Sequence, residues 1–184
     1  MRQLFRRTGT AAVAALALVI GSVALSSSAN AASKCVVLTA SSGACITTTS
    51  YAKSTFKVNY HDAMYNKTSH TQHLECTSDV TKTVKQTFSA EVEAEFHVAI
   101  LASMKAKVGY SLEKSVTVHE GSTVKIAISP HKWGHCERGI YTTRASGKIV
   151  YSYFGGGSGT YKTTYWTSTA PSHPAWVVYE SSHG

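Results

Sequence analysis

The chain reads as an all-β protein built round one long amphipathic β-hairpin, and three observations carry that reading. Between Thr87 and Val118 the apolar residues keep a single parity, the flanking segments have strand chemistry, and four cysteines form an even set. The even positions hold Phe88, Ala90, Val92, Ala94, Phe96, Val98, Ile100, Ala102, Met104, Ala106, Val108, Tyr110, Leu112, Val116 and Val118, broken by Lys114. The odd positions are mostly Ser, Thr, Glu, Lys and His, with Ala99, Leu101 and Gly109 as exceptions. A period of two is that of a strand with one apolar and one polar face. The stretch is too long for one ordinary strand of about six residues, so it folds back or forms something unusually extended. Reversal about Ile100 sets Glu95 opposite Lys105 and Glu93 opposite Lys107, giving the register an electrostatic reason. Ala, Glu, Leu, Met and Lys also favour helix, and spacing-four pairs fall on even positions too. The i+3 partners Glu95 of Val92 and Lys107 of Met104 interrupt a helical stripe, which favours strand.

Strand chemistry continues on both sides. Phe56, Val58 and Tyr60 alternate with Lys57 and Asn59, and Val80 to Gln86 leads into the long stretch. Val116, Val118, Val124, Ile126 and Ile128 form a second hairpin turning at Glu120-Gly121, while Ile140 to Phe154 returns as strands around a Ser146-Gly147 turn. Pro130 and Gly134 mark a loop before Cys136, and Gly155 to Gly159 is a glycine-rich connection. The aromatic residues Trp133, Tyr161, Tyr165, Trp166 and Trp176 suit sugar stacking, a membrane interface or a small edge core.

Residues 1–31 have the anatomy of a secretory signal: Arg2, Arg6 and Arg7, an apolar run from Ala11 to Leu25, and Ala29-Asn30-Ala31 as a cleavage site. Beyond it, residues 32–50 form a disulfide-bearing extension and residues 51–184 a single β-rich domain. In an exported chain Cys35, Cys45, Cys76 and Cys136 read as two disulfides with three possible connectivities. The simplest is a local Cys35–Cys45 bridge with Cys76–Cys136 closing the longer loop.

The chain has 18 Lys and Arg; loss of the three signal arginines leaves 15 against 10 Asp and Glu, a net +5. That charge favours anionic surfaces such as lipid headgroups or wall polymers. The scattered lysines form no basic stripe, which argues against nucleic acid. No Gly-x-Ser-x-Gly elbow occurs, and His61 and Asp62, adjacent in a strand, face opposite ways, so no enzyme is expected. His70, His73, His131 and His135 gather near Cys76 and Cys136, but spacing alone gives no convergent ligand set; no metal or other cofactor is expected.

The run Tyr65-Asn66-Lys67-Thr68-Ser69-His70-Thr71-Gln72, followed by the Ser/Thr-flanked amphipathic hairpin and a further hairpin, resembles the pore-forming module of aerolysin-like toxins, the epsilon-toxin and mosquitocidal-toxin family. The chain is also similar to small secreted actinobacterial proteins of unknown function, through Thr87-Phe88-Ser89-Ala90-Glu91-Val92 and Lys132-Trp133-Gly134. The likeness spans Tyr51 to Phe154. It implies an elongated, twisted antiparallel sheet whose hairpin, from Phe88 to about Leu112, unrolls on oligomerisation into a membrane barrel. Phe88, Val92, Phe96, Val98, Ile100, Leu101, Met104 and Val108 would then face lipid or a partner, with Ile100-Leu101 at the tip. Each arm supplies the ~9–11 residues of a tilted spanning strand. Such toxins carry a separate receptor-binding domain for which this chain has little room, so a partner would supply targeting. Two other classes compete: an adaptor or structural subunit of a secreted protein complex, and a small wall-polymer or carbohydrate binder.

Overall fold

Strand formers fill the C-terminal third, and there the chain makes its two longest elements. The computed structural model describes residues 33–89, 92–154 and 159–184. Residues 1–32, where the expected signal falls, Ala90, Glu91 and residues 155–158 of the glycine-rich connection lie outside them, as do the side chains of Thr160 and Tyr161. In chain order the strands are β1 (Ser33–Thr39), β2 (Ser42–Tyr51), β3 (Thr55–Tyr65), β4 (Gln72–Thr77), β5 (Lys82–Lys85) and β6 (Thr87–Phe88). Helix α1 (Ala94–Val108) follows, then β7 (Ser115–Val118), β8 (Thr123–Ile128), β9 (Trp133–Tyr153) and β10 (Gly159–Ser181).

β9 and β10 pair antiparallel from Tyr153–Gly159 to Trp133–Ser181, and at ordinary strand rise β9 is about 70 Å long. The other edge of β9 takes two strands end to end, β3 against Trp133–Thr142 and β2 against Ala145–Tyr153, while β1 pairs with β2 and the short β6 with β10. Among the described residues the fold is thus all-β apart from one helix: a curled antiparallel sheet. Ser33–Tyr51 is an integral part of it.

Two covers lie on opposite faces of the sheet. Odd-numbered side chains of β9, among them Ala145, Ile149 and Tyr151, pack under α1. Even-numbered Ile140 packs under Val116 and Val118, and the Cys136 disulfide reaches Cys76, so the ribbon made by β4–β8 and β5–β7 covers the other face. The bridges are Cys35–Cys45 and Cys76–Cys136, the expected pairs.

Three expectations are corrected. Ala94–Val108 is a helix and not two hairpin strands. Glu120-Gly121 is a turn, with Gly121 at φ 78°, but it joins strands that pair elsewhere: β7 with β5 and β8 with β4. Nor does Ser146-Gly147 turn, because β9 runs straight through it. A Cβ at Gly147 would lie 2.0 Å from the Thr47 carbonyl and 2.5 Å from the Trp166 ring, so glycine is there to admit close neighbours.

Candidate functional site: the insert between β6 and β7

The residues singled out as a hairpin fold as α1, and its composition explains why. Ala94, Ala99, Ala102, Ala106, Leu101 and Met104 are strong helix formers. Glu95 sits in the first turn and Lys105 and Lys107 in the last, the arrangement the helix dipole favours. Gly109 ends the helix in the left-handed region at φ 77° and donates its N–H to the Lys105 carbonyl at 3.0 Å. The even parity that spelled strand is also kept by a spacing of four. Phe96, Ile100 and Met104 therefore form a buried row on α1, joined by Leu101.

That row packs on Ala44, Ile46, Ile149 and Tyr151, with Phe96 edge-on to Tyr151 at 5.8 Å, and Phe88, Val92 and Val108 close round it. Val98 alone of the expected lipid-facing set is exposed. Ser103, on the odd parity, is buried against β2: it accepts the Thr48 N–H at 3.1 Å and shares a hydroxyl contact of 2.8 Å with Thr48.

The two charge pairs are corrected with the hairpin. Glu93 stands at the N-terminal boundary of α1 without a side-chain capping bond and Lys107 lies in its last turn, while Lys105 pairs with Glu113 at 3.6 Å. Glu95 is pushed above its ordinary carboxyl range, chiefly by desolvation and then by the Glu93 carboxylate beside it.

The insert is clamped at its base. Gln86 donates its N–H to the Lys114 carbonyl at 2.7 Å, Ser89 to Thr167 at 3.0 Å and Glu113 to Pro171 at 2.7 Å. Below that clamp, partner numbers in the ribbon add to 200 at every step, from Gln72–Ile128 through Thr77–Thr123 and Lys82–Val118 to Lys85–Ser115. Glu95–Lys105 and Glu93–Lys107 belong to the same register. The ribbon also keeps the same parity: even-numbered Cys76, Val116, Val118 and Ile128 are buried, whereas odd-numbered His73, Glu75, Thr83, Lys85 and Lys125 are exposed. Its odd face carries a cross-strand acid–base pair, Glu75–Lys125 at 3.1 Å. The ribbon thus has the register and parity expected of the hairpin, and α1 stands between its two arms.

The aromatic residues divide. Trp166 is buried over Gly147, and Trp176 donates to Ser122 Oγ at 2.9 Å and stacks under Arg138 at 5.5 Å, whose guanidinium burial lowers its pKa. Trp133 lies between Tyr65 and His135, while Tyr165 is 75% exposed. His61 and His135 meet with ring nitrogens 3.3 Å apart, and Cys136 is in its disulfide. Among the described residues no group of three or more His, Cys, Asp or Glu is placed to hold a metal. No described helix is long and apolar enough to cross a membrane.

Sequence reasoning missed Asn66, which is buried; its Nδ2 donates to the carbonyls of His70, Ile128 and Ser129, and its Oδ1 accepts from Thr68. Its place in a polar turn gave the only signal.

No protein-family model and no curated protein matches the chain. Among solved structures it is similar to a chain described as a candidate pore-forming toxin from Bacteroides vulgatus, at 8% identity and a TM-score of 0.29. That likeness covers 78% of this chain and 56% of the other, so this chain spans little more than half its length.

Proposed function

We propose that this is a secreted, non-enzymatic β-sheet protein that acts as a pore-forming component, and that the Phe88–Leu112 insert is its moving part. The carrying observation is the shared register and parity: the ribbon below the clamp already has the pairing that the insert's charges select. Released from α1, the insert continues that ladder without a slip, each arm long enough for a tilted spanning strand. Its even side chains then face lipid and its odd ones a wet lumen.

A lock on α1 tests this. Thr48 and Ser103 hydroxyls are 2.8 Å apart across the helix–sheet contact, so Thr48→Cys with Ser103→Cys is placed to bridge. Each single variant should release dye from liposomes at least as readily as the parent, and the oxidised double variant should not. Leakage by a fully bridged double variant would refute the reading.

A second reading, an adaptor subunit of an extracellular complex, has one observation in its favour. Phe96, Ile100, Leu101 and Met104 are ordinary core residues of α1. Under that reading liposomes change nothing, and a secreted partner protects a contiguous surface patch.

A further inference from the structure

The ribbon covers its face of the sheet only at the β3 end, and the β2 end of that face is open. Register places its side chains. Val37, Gly43 and Ser152 form one cross-strand row, Cys35, Cys45, Val150 and Thr163 the next, and Thr47, Lys148 and Tyr165 the third. The Phe154 ring lies over Gly43, where an added Cβ would come within 2.7 Å of it. Val37 and Tyr165 are each 75% exposed and Phe154 50%, a density of apolar surface that a water-facing sheet does not require.

The charge beside them has one sign. Lys148 stands in the Tyr165 row and Arg144 is exposed two rows further along, past Ser146, while the chain has no Asp or Glu from Ser33 to Val58 or from Arg138 to Tyr179. Two open concavities of about 370 and 200 Å³ share Ser146 and Thr167 in their walls; Tyr165 lines the smaller and Arg144 the larger. Aromatic rings with a polar tip, an aliphatic side chain, hydroxyls and unopposed cations together match the headgroup layer of an anionic membrane. A second copy set face to face would bring like charges together.

We infer that this end of the sheet is a docking surface for anionic phospholipid, holding the membrane through Val37, Phe154 and Tyr165 with Arg144 and Lys148 at the phosphates. It would supply membrane targeting from the sheet itself. The inference shares with the proposed function only that the protein works at membranes, and its test separates the two.

Co-sedimentation with vesicles of phosphatidylcholine alone, and of phosphatidylcholine with phosphatidylglycerol, reads the surface directly. Binding should require the anionic lipid and weaken with salt. Arg144→Gln and Lys148→Gln should each weaken it about fivefold, the worth of one basic residue near a charged bilayer. Tyr165→Ser should weaken it tenfold or more, and Lys82→Gln, on the ribbon, should leave it unchanged. Val37→Ser gives a second apolar variant should Phe154→Ser disturb its contact with Gly43.

Equal binding to both vesicle types, no binding, or variants that bind like the parent would overturn the inference. So would lipid-independent self-association abolished by Tyr165→Ser, which would make the face a copy-to-copy contact. Binding that follows this pattern without dye release upholds the docking surface and defeats the pore. Dye release untouched by these variants does the reverse.

Discussion

The β9–β10 pair and the ribbon from Gln72 to Ile128 are both long antiparallel ladders of alternating residues, yet only the first is strand throughout. β9 has partners on both edges, and its apolar side chains are buried under α1 on one face and under the ribbon on the other. The ribbon is two-stranded, and its apolar parity is covered only as far as the clamp at Gln86 and Lys114. Beyond that point a hairpin would hold a dozen apolar residues in water, and an isolated two-stranded pair is marginal there. Winding the insert into α1 buries Phe96, Ile100, Leu101 and Met104 instead. Alternation says which side chains can share a face. What lies opposite that face decides between strand and helix.

The comparison breaks first at the frame. Trp166→Ala should cost about 3–5 kcal/mol in chemical denaturation and unfold sheet and helix together, because that ring spans β9 and the α1 core. Ser103→Ala should cost less, about 1–3 kcal/mol, by leaving the Thr48 N–H without its acceptor. Its effect should be confined to α1, seen as faster amide exchange in Ala94–Val108 with β9 unchanged. Dye release should rise, since residue 103 is on the odd parity and does not face lipid in the hairpin.

The fold was legible where one physical constraint acted alone. Cysteine spacing gave both bridges, and the Val, Ile, Thr and Tyr content gave the strands. It was illegible where two constraints coincide: Phe96, Ile100 and Met104 satisfy both a period of two and a spacing of four. Gly121 and Gly147 looked like equivalent turn signals. Gly121 does take a positive φ, but Gly147 is there because Trp166 and the Thr47 carbonyl approach it, a contact across distant strands. Glu93, Glu95, Lys105 and Lys107 were read as a hairpin register, whereas acid before base at this spacing equally suits the two ends of a helix, where the structure places them.

Charge reversal sharpens the contrast within the ribbon. In solution a double-mutant cycle on Glu75 and Lys125 should give a coupling of at most about 1 kcal/mol, as befits an exposed pair. The cycle on Glu93 and Lys107 should give none, since these residues lie about 21 Å apart by helix rise.

The smallest effect is at the start of α1. Glu95 has a raised carboxyl pKa in the folded chain, so its contribution favours the helix below the ordinary carboxyl pKa and is lost as pH rises through the raised value. Glu93→Gln should move the Glu95 titration, followed by NMR, part of the way back toward the ordinary range. An unmoved titration would leave desolvation as its whole cause.

The central claim is that α1 and a register-200 hairpin are two states of one insert, and cross-linking measures it most directly. Residues 95 and 105 are about 15 Å apart on a helix and about 5 Å apart as a cross-strand pair. Glu95→Cys with Lys105→Cys, treated with a short bis-maleimide while the native disulfides stay oxidised, should not link in solution and should link on anionic liposomes. Glu93→Cys with Lys107→Cys should behave likewise, and Glu95→Cys with Ala106→Cys, on opposite faces, should not link in either setting. Liposomes that leak while both on-register pairs stay unlinked would contradict the account.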